Sequence, residues 1–583
     1  MESHNTSAEE DGDARPAKRR RKLPPEPTTA LPARRRENGG HLLNFFGNCV
    51  DTAEPSSTQL SKNAIKKAAK EAEKAEKKAE QARLREKELQ LRQREEAAND
   101  FAASNYGEHP PTTAPVSHCE WLQLTKVEEW EDRLCIFRCA IENARIQSTK
   151  LAFLSVSQRL QSIQVVVAED GENVSRQMVK FAGDIPAESL CVIHGIVKRT
   201  TEQIKSTTVQ GFEIQAKKIY LVSKASTPLP LQPADSERAL PSETNEDVNS
   251  PLVSLNTRLN NRVLDLRAKI NHCIFILQDG VDSLFQEFLR AQGFIRIHTP
   301  KIIGAPSEGG SNVFRLDYFQ GNCYLAQSPQ LYKQMAIQAR FPRVMEIGPV
   351  FRAEKSFTAR HLTEFTGLDV EMEFEEDYHE VVDVLEKLML FIFKGLQERY
   401  SDETELIRKV YPVQPFKLPA NAPRLHFAEG IKMLRKAGES IGDYDDLTTP
   451  QEKKLGQLVL EKYGSDFYTL DQFPKALRPF YTMPSSTDPD NYSNSYDMFM
   501  RGQEICSGAQ RIHSYELLVQ RIRELNMNPE QAGLKDYVAG FKYGCAPHGR
   551  GGFGLERIVQ FYLGLPNIRL ASMFPRDPTR VVP

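Results

Sequence analysis

Alternating apolar and polar residues mark five short segments in the middle of the chain. They span residues 134–146, 150–156, 162–169, 189–200 and 211–223, and a stretch able to form a helix, 175–182, follows the third. A period of two, with many β-branched residues, is typical of half-buried strands. We therefore expect residues 118–224 to form an all-β barrel of the oligonucleotide-binding (OB) type, a fold that binds unpaired bases.

A second pattern begins at residue 255 and continues to residue 583. It opens with a helical period over 261–292 and proceeds through short strands and further helices, which predicts an α+β domain of catalytic size. Residues 225–254, rich in Pro, Ser and acidic side chains, are expected to form a linker. The chain is thus predicted to be multidomain.

Polar residues dominate the first 117 positions. Segment 60–96 lacks Gly and Pro and carries lysine at every fourth position over its first half. This spacing predicts a charged helix within an extension of residues 59–117, and both a phosphate-binding ridge and a solvated single helix remain open. Residues 15–36 hold nine Lys or Arg against one acid, so 1–58 are expected to be a disordered basic tail. Its KRRRK run fits a nuclear signal, a solubilising tail or an RNA contact.

Composition excludes several classes of protein. The 583 residues are 40% hydrophobic and 26% charged, with a net charge of −2, as expected for a globular protein. No apolar run reaches 18 residues, and the nine cysteines are scattered without a CxxC pair. A membrane-spanning protein, a zinc ribbon and a disulfide scaffold are therefore not expected, and the cytoplasm is the expected location.

Candidate chemistry concentrates first in segment 344–374, which is predicted to be a β-hairpin with a long loop. On its second strand Phe365, Asp369 and Glu371 share one face. The guanidinium of Arg352, beside the Phe365 ring and a loop expected to be cationic (Lys355, Arg360 and His361), suits a nucleoside polyphosphate. A salt-bridged structural hairpin is the alternative.

Glycines precede a helix in segment 549–565, and Arg557 lies in the first turn of that helix. Glycine allows the backbone to approach a ligand closely, and an arginine beside it can reach a terminal phosphate. The segment matches neither GxGxxG nor the P-loop pattern GxxxxGK[ST]. ATP would therefore have to be bound in another way.

Taken together, the strings FRAE…RHLTEF and GGFGLER resemble the second and third motifs of class II aminoacyl-tRNA synthetases. GFIRIHTP (293–300) is similar to the first motif, which implies a helix that closes at Pro300 and a dimer interface there. The class I strings HIGH and KMSKS do not occur. The resemblance implies an antiparallel sheet flanked by helices, with the active site on the sheet.

Segments 307–334 and 501–513 resemble those of the aspartyl-tRNA synthetases of the eukaryotic cytosolic type, and the similarity extends from about residue 60 to 580. It implies ATP-dependent ligation of L-aspartate to tRNA(Asp) through aspartyl-adenylate, in cytoplasmic translation. The expected partners are aspartate, ATP, Mg²⁺, tRNA(Asp) and a second copy of the chain, with no membrane.

The resemblance also assigns roles to individual residues. Contacts with aspartate are implied for Ser307, Glu308, Gln330, Lys333, Asp369, Ser507 and Arg511. Contacts with ATP are implied for Arg352, Glu354, Arg360, His361, Leu362, Glu364, Phe365, Glu504, Gly554 and Arg557. Of these, the expected catalytic residues are Arg352, Glu504 and Arg557. The anticodon is assigned to Arg145, Gln147, Phe153 and Gln164, with Phe153 as a stacking platform.

Charge supports aspartate independently. Lys333 and Arg511 supply two cations for the side-chain carboxylate, and Asp369, with Gln330 and Ser307, suits the ammonium group. Neutral asparagine would leave the cations unpaired. Because an uncompensated buried charge costs about 3–5 kcal/mol, this clamp discriminates by a factor on the order of 10² to 10³.

Magnesium is assigned to Glu504 and Ser507. These residues are three apart and would lie on opposite faces of a regular strand, so a shared ion requires a bulge or bend near Gly508.

Two rival functions remain open. One is a related specificity, either for asparagine or for charging aspartate onto two tRNAs. The other is a catalytically silent paralogue that binds RNA through its barrel and basic helix. The presence of Arg352, Glu504 and Arg557 favours an enzyme.

Overall fold

The computed structural model describes residues 99–108, 120–239, 252–306, 313–319 and 321–582, together with single residues between 74 and 87. The chain divides into two compact units, Met1–Arg92 and Gln93–Pro583. In the first unit the described residues, among them Lys74, Lys77 and Lys78, are helical and exposed. The predicted tail, 1–58, and the lysines of 60–70 lie outside the described residues. No described helix has the length and apolar character that crossing a bilayer requires.

Five strands close into the predicted barrel. Short β1 (Tyr106–Glu108) is followed by β2 (Leu134–Ser148), β3 (Leu151–Gln158), β4 (Gln161–Ala168), β5 (Leu190–Arg199) and β6 (Phe212–Ser223). The sheet order is β1-β6-β4-β3-β2-β5, and an additional pairing of β5 with β6 completes the ring. Helix α1 (Arg176–Gly183) lies between β4 and β5, as the sequence predicts. The expectation of an OB-type barrel is confirmed.

Alternation explains why the barrel closes around its own side chains. In β3, Ala152, Leu154 and Val156 are fully buried, whereas the residues between them face outward. At the start of α1 the Ser175 hydroxyl accepts a hydrogen bond from the backbone N–H of Met178, at 3.2 Å. This cap satisfies a free N–H at the helix start and points Met178 into the barrel core.

An eight-stranded sheet organises the second domain, in the order β13-β14-β15-β16-β17-β12-β11-β7. Its strands are β7 (Ile295–Arg296), β11 (Arg343–Phe351), β12 (Glu364–Glu373), β13 (Arg424–His426), β14 (Phe467–Asp471), β15 (Ser495–Met500), β16 (Gln503–Gln510) and β17 (His548–Gly554). The six central strands are antiparallel, as expected, but edge strands β7 and β13 pair in parallel with their neighbours. The sheet is therefore mixed at its edges. A separate three-stranded sheet contains β8 (Ile302–Ile303), β9 (Arg315–Tyr318) and β10 (Gly321–Leu325).

Helices surround this sheet. They are α2 (Leu255–Asn260), α3 (Arg262–Asp265), α4 (Lys269–Ala291), α5 (Gln330–Gln338), α6 (His379–Arg399), α7 (Ser401–Val410), α8 (Phe427–Lys436), α9 (Thr449–Tyr463), α10 (Tyr515–Glu524), α11 (Lys535–Gly540) and α12 (Leu555–Leu563). The prediction of a continuous helix over 261–292 is wrong. The backbone of Ala268, with φ −59° and ψ 132°, is not helical and separates α3 from α4. At this break Asp265 is fully buried and forms ion pairs with Arg258 and Arg262.

Close packing on one side leaves the other side of the sheet for a ligand. A Cβ on Gly551 of β17 would lie 2.4 Å from Leu385 Cδ1 of α6, so only glycine allows this helix to approach so closely. A Cβ on Gly552 would instead lie 3.1 Å from Asp369 Oδ1 on the opposite face. Helix α6 thus covers the face of Gly551, and the polar side chains gather over the face of Gly552.

Candidate active site

A cavity opens over β12, β16 and β17 and beneath the loop that joins β11 to β12. It brings together eleven residues predicted from the sequence: Arg352, Glu354, Arg360, His361, Leu362, Phe365, Asp369, Glu504, Ser507, Gly554 and Arg557. These residues are separated by as many as 205 positions in the chain. The antiparallel pairing of β12 with β17 and of β17 with β16 explains their proximity.

Arg352 and Phe365 face each other at the mouth of the cavity. The guanidinium carbon lies 5.5 Å from the centre of the Phe365 ring. Glu354 is 4.0 Å from the same guanidinium. A flat cation over a ring provides a platform for an aromatic base and a donor for phosphate within one short segment.

Arg557 supplies a second cation from the first turn of α12. Its Nη1 donates to the backbone carbonyl of Glu504 at 3.2 Å and lies 4.0 Å from the Glu504 carboxylate. Burial lowers the pKa of Arg557 from its ordinary value, although Glu504 opposes the effect. Arg360 lines the same cavity and donates to Glu452 of α9 at 2.8 Å. The cavity therefore offers the guanidinium groups of Arg352, Arg360 and Arg557, which are suitable donors to a polyphosphate.

His361 lies among these cations but is itself neutral at neutral pH. Burial, reinforced by nearby Arg557, lowers the pKa of His361 below its ordinary 6.5. Its Nδ1 lies 2.6 Å from the Thr358 hydroxyl, which orients the ring. A neutral imidazole offers a hydrogen bond rather than a charge, so His361 does not belong to a cationic loop at neutral pH.

A bulge at Ile505 places Glu504 and Ser507 on one face. Phe499 of β15 pairs with Glu504 and Met498 pairs with Cys506, so Ile505 is the extra residue. Both Glu504 and Ser507 line the cavity. The expected irregularity is present, but it lies at Ile505 rather than near Gly508.

Asp497 adds a carboxylate that the sequence reasoning missed. It lies directly opposite Ser507 in the β15–β16 pair, and Arg478 contacts it at 2.9 Å. Its Oδ1 is buried without a hydrogen-bond partner in the described part of the chain, and burial raises the pKa of Asp497 to about 6. An acid inside the otherwise apolar strand SYDMFM was the available signal.

The residues predicted to bind the amino acid lie beside Asp369, and their side chains are buried. Lys333 is fully buried, and its Nζ lies 2.9 Å from Asp369 Oδ1 and 3.4 Å from Glu371 Oε2. Arg511, also buried, lies 3.8 Å from Glu371 Oε1 and donates to Gln330 at 3.2 Å. Glu371, which was not among the predicted site residues, thus lies between the two predicted cations.

A buried polar network supports this end of the site. Gln330 Nε2 donates to Gln334 at 2.9 Å, and Gln334 contacts His548 at 3.1 Å and accepts from Tyr537 at 3.0 Å. Burial lowers the pKa of His548, which favours the neutral ring. The network fixes the amide orientation of Gln330 and therefore the acceptor that it presents to Arg511.

Comparison with known proteins identifies the family. The sequence pattern of the tRNA synthetases class II (D, K and N) matches residues 254–578. The chain belongs to this family. Cytoplasmic aspartate–tRNA ligase of Homo sapiens is 47% identical over 495 residues, covering 84% of this chain and 96% of the relative. The corresponding protein of Caenorhabditis elegans is 44% identical over 538 residues, covering 92% and 100%.

Solved structures agree with this class II assignment. The aspartyl-tRNA synthetase of Entamoeba histolytica is 45% identical and superimposes with a TM-score of 0.74, covering 82% of this chain and 96% of that one. The asparaginyl-tRNA synthetase of Pyrococcus horikoshii, complexed with asparaginyl-adenylate, is 28% identical, with a TM-score of 0.70 and coverage of 80% and 100%.

Several predicted residues of this class II synthetase lie elsewhere. Ser307 and Glu308 lie outside the described residues. Glu364 is exposed at the start of β12, and its backbone forms an isolated antiparallel β-bridge with Arg576. It is not part of the cavity wall. Pro300 follows β7, not a helix, since α4 already ends at Ala291.

The four residues predicted for the anticodon line one groove of the synthetase. Arg145, Gln147, Phe153 and Gln164 line it on the barrel, and Arg267, Lys269 and His272 line it on the catalytic side. Phe153 points outward between buried neighbours and pairs across the strands with Arg145. An outward aromatic beside a cation is the arrangement on which an unpaired base stacks.

Proposed function

We propose that the chain ligates L-aspartate to tRNA(Asp) in the cytoplasm, through aspartyl-adenylate, with release of AMP and diphosphate. The observation that carries this proposal is the buried group formed by Lys333, Arg511, Asp369 and Glu371 next to the nucleotide cavity. The cytoplasmic aspartate–tRNA ligases named above, with 44–47% identity over most of their length, support the same substrate.

Charge complementarity selects aspartate over asparagine. In this structure Asp369 and Glu371 neutralise Lys333 and Arg511. Entering aspartate offers its ammonium to Asp369 and its side-chain carboxylate to the two cations, so every buried charge keeps a partner. Asparagine can also offer its ammonium to Asp369. Its side-chain amide carries no charge, however, and cannot pair with Lys333 and Arg511.

The first step forms the adenylate. An oxygen of the aspartate α-carboxylate attacks the α-phosphorus of ATP in line, and the bond to the bridging oxygen breaks as diphosphate leaves with the electron pair. Arg352 binds the α-phosphate, while Arg557 and His361 bind the γ-phosphate end. Phe365 and the backbone near Glu364 hold adenine. Positioning and charge neutralisation carry this step, and no side chain acts as a nucleophile.

Residues at the bulge suit magnesium. Glu504, Asp497 and Ser507 supply oxygen ligands, which are the ligands that Mg²⁺ prefers. The buried Oδ1 of Asp497, which has no hydrogen-bond partner in the described part of the chain, fits an ion bound there. No group of three or more His, Cys, Asp or Glu able to hold a metal occurs in the described ranges, so the phosphates of ATP would complete the shell. Bound magnesium would neutralise phosphate charge.

The second step transfers the aminoacyl group. The 3′-hydroxyl of the terminal ribose of tRNA attacks the carbonyl carbon of the adenylate, its proton is lost, and AMP leaves with the electron pair. The groove of Arg145, Gln147, Phe153 and Gln164 binds the anticodon. The lysine-rich segment within 59–117 adds salt-sensitive affinity without selecting the tRNA. In this proposal, residues 118–224 bind the anticodon, residues 225–254 connect the two domains, and residues 255–583 form the catalytic domain.

A homodimer completes the proposal. Apolar side chains are exposed near Pro300 and on the β9–β10 hairpin, among them Ile295, Ile302 and Tyr318, each 50% exposed, and Phe319, which is 95% exposed. Clusters of exposed large apolar residues are typical of interfaces. We therefore place the contact with the second copy on this side of the catalytic domain.

ATP–diphosphate exchange tests the proposed reaction. Wild type is assayed with aspartate and asparagine in parallel, beside Lys333→Ala and the exposed control Lys394→Ala. Exchange driven by aspartate, lost in Lys333→Ala and kept in the control, is expected. Exchange driven by asparagine alone would transfer the proposal to that amino acid, and no exchange by folded protein would leave RNA binding as the function.

A further inference from the structure

Arg550 is a charged residue of the site that neither the motifs nor the proposed reaction uses. It lies on β17 in the stretch HGRGGFG, where glycine occupies four of the seven positions. Residues 550, 552 and 554 alternate onto the face that carries Asp369, whereas Gly551 faces Leu385 of α6. Because Gly552 and Gly554 have no side chain and His548 contacts Gln334 in the buried network, Arg550 is the charged side chain that β17 directs to the cavity.

The guanidinium of Arg550 lies at the junction of the amino-acid and nucleotide ends. Its Nη1 is 3.9 Å from Asp369 Oδ1. A Cβ built on Gly552 would lie 3.8 Å from the same Nη1 and 3.1 Å from Asp369 Oδ1, so the two groups converge above this glycine. Gly552 pairs with Ser507, and Arg550 shares the cavity wall with Arg352.

Position distinguishes Arg550 from the other two cations. Lys333 and Arg511 both contact Glu371 at the buried end, where the side-chain carboxylate belongs. Arg550 also lies opposite Glu371 in the β12–β17 pair, but its Nη1 approaches Asp369, which takes the ammonium, and it lines the cavity that takes the α-phosphate. In an amino acid the ammonium and α-carboxylate share one carbon, so the α-carboxylate must lie near this guanidinium once the ammonium reaches Asp369.

The charge balance of the site points in the same direction. Lys333, Arg511 and Arg550 are three cations against the two carboxylates of Asp369 and Glu371. Aspartate brings two carboxylates and one ammonium. With its side-chain carboxylate on Lys333 and Arg511, its α-carboxylate is the group left for Arg550.

We propose that Arg550 binds the α-carboxylate of aspartate and holds it against the α-phosphorus of ATP. This assignment rests on the proposed function. Arg550 acts in the first step only, because the α-carboxylate loses its charge when it becomes the carbonyl of the adenylate. Its guanidinium then lies beside a neutral acyl group, and the transfer to tRNA proceeds without it.

Three amino-acid ligands separate this role from its alternatives. L-aspartate is the substrate in ATP–diphosphate exchange, while L-asparagine and the α-amide of aspartate, L-isoasparagine, serve as competitive inhibitors. In Arg550→Gln the KM of aspartate and the inhibition constant of asparagine are expected to rise about 10- to 100-fold, since both keep the α-carboxylate. Inhibition by isoasparagine, which lacks that charge, is expected to stay within about twofold.

Two further measurements complete the test. Single-turnover transfer from preformed aspartyl-adenylate to tRNA is expected to stay within about twofold in Arg550→Gln. Arg550→Lys keeps the charge and is expected to recover part of the loss. Arg399→Gln, on the exposed surface of α6, is the control for a lost arginine, and thermal unfolding verifies that each variant is folded.

The other outcomes overturn the assignment. Equal losses for aspartate and isoasparagine, with asparagine spared, would place Arg550 in the side-chain clamp. Equal losses for all three ligands would make its role structural, and unchanged constants would exclude contact. Absence of aspartate-dependent exchange in wild type would instead overturn the proposed function itself, so the two failures are distinguishable.

Discussion

Lys333 Nζ lies 2.9 Å from Asp369 Oδ1, although the proposed reaction assigns the two groups to opposite ends of aspartate. Without substrate, Lys333 and Asp369 therefore neutralise each other. Binding becomes an exchange of partners, in which the ammonium takes over Asp369 and the side-chain carboxylate takes over Lys333. Such an exchange avoids stripping water from an isolated charge, which is the largest cost of burying ions.

The first prediction concerns the stability that this pairing provides. Lys333→Met removes the cation nearest to the buried carboxylates of Asp369 and Glu371, so the free energy of unfolding is expected to fall by about 3–5 kcal/mol. Urea denaturation measures the change. Lys394→Met removes a lysine that is 67% exposed and is expected to stay within about 0.5 kcal/mol of wild type. Similar values for the two variants would contradict the buried-pair account.

Magnesium dependence tests Asp497. In Asp497→Asn the Mg²⁺ concentration for half-maximal exchange is expected to rise at least about tenfold, because one carboxylate ligand is lost. Since burial raises the pKa of Asp497 to about 6, wild type is expected to need more Mg²⁺ as the pH falls through 6. Exposed Asp443→Asn serves as control, and a magnesium requirement equal to that of wild type would remove Asp497 from the metal site.

Glu556 makes stability depend on pH. Burial raises its pKa to about 7, against an ordinary value of 4.5, while the backbone N–H of Thr366 donates to its carboxylate at 3.1 Å. Because the folded pKa is the higher one, the stabilisation is complete below about pH 4.5 and is lost as the pH rises through 7. The difference in pKa corresponds to about 3 kcal/mol.

Glu556→Gln is expected to abolish this part of the pH dependence. Urea denaturation between pH 4.5 and 8 measures it, with Glu398→Gln on the exposed face of α6 as control. The slope of stability against pH should flatten only in Glu556→Gln. An unchanged slope would show that another group titrates.

Phe153 is predicted to act on tRNA and not on the amino acid. Stacking contributes about 1–3 kcal/mol per base, so Phe153→Ala is expected to raise the KM of tRNA(Asp) about 5- to 150-fold. Exchange without tRNA should be unchanged, because the barrel does not line the nucleotide cavity. Tyr543→Ala, at a position 82% exposed, is the control aromatic. A fall in exchange would indicate a folding defect instead.

The sequence was sufficient for features set by local pattern. Alternation predicted the barrel strands, and most of the side chains that line the cavity were predicted from two motifs that the sheet brings together. Asp497, Glu371 and Arg550 were missed because their roles arise from register: Asp497 opposite Ser507, and Arg550 opposite Glu371. The break between α3 and α4 was missed because the buried Asp265 pairs, and not the helical period, decide it.

Strand β17 has neighbours in close contact on both faces. Leu385 fills the space beside Gly551, and Asp369 fills the space beside Gly552, so a single added methyl group would force the helix or the substrate site to move. Selection for a new amino acid therefore has little freedom along this strand. Evolutionary change of specificity in this scaffold is therefore expected to come from α5, β12 and β16, or from position 550, where β17 presents a charged side chain to the cavity.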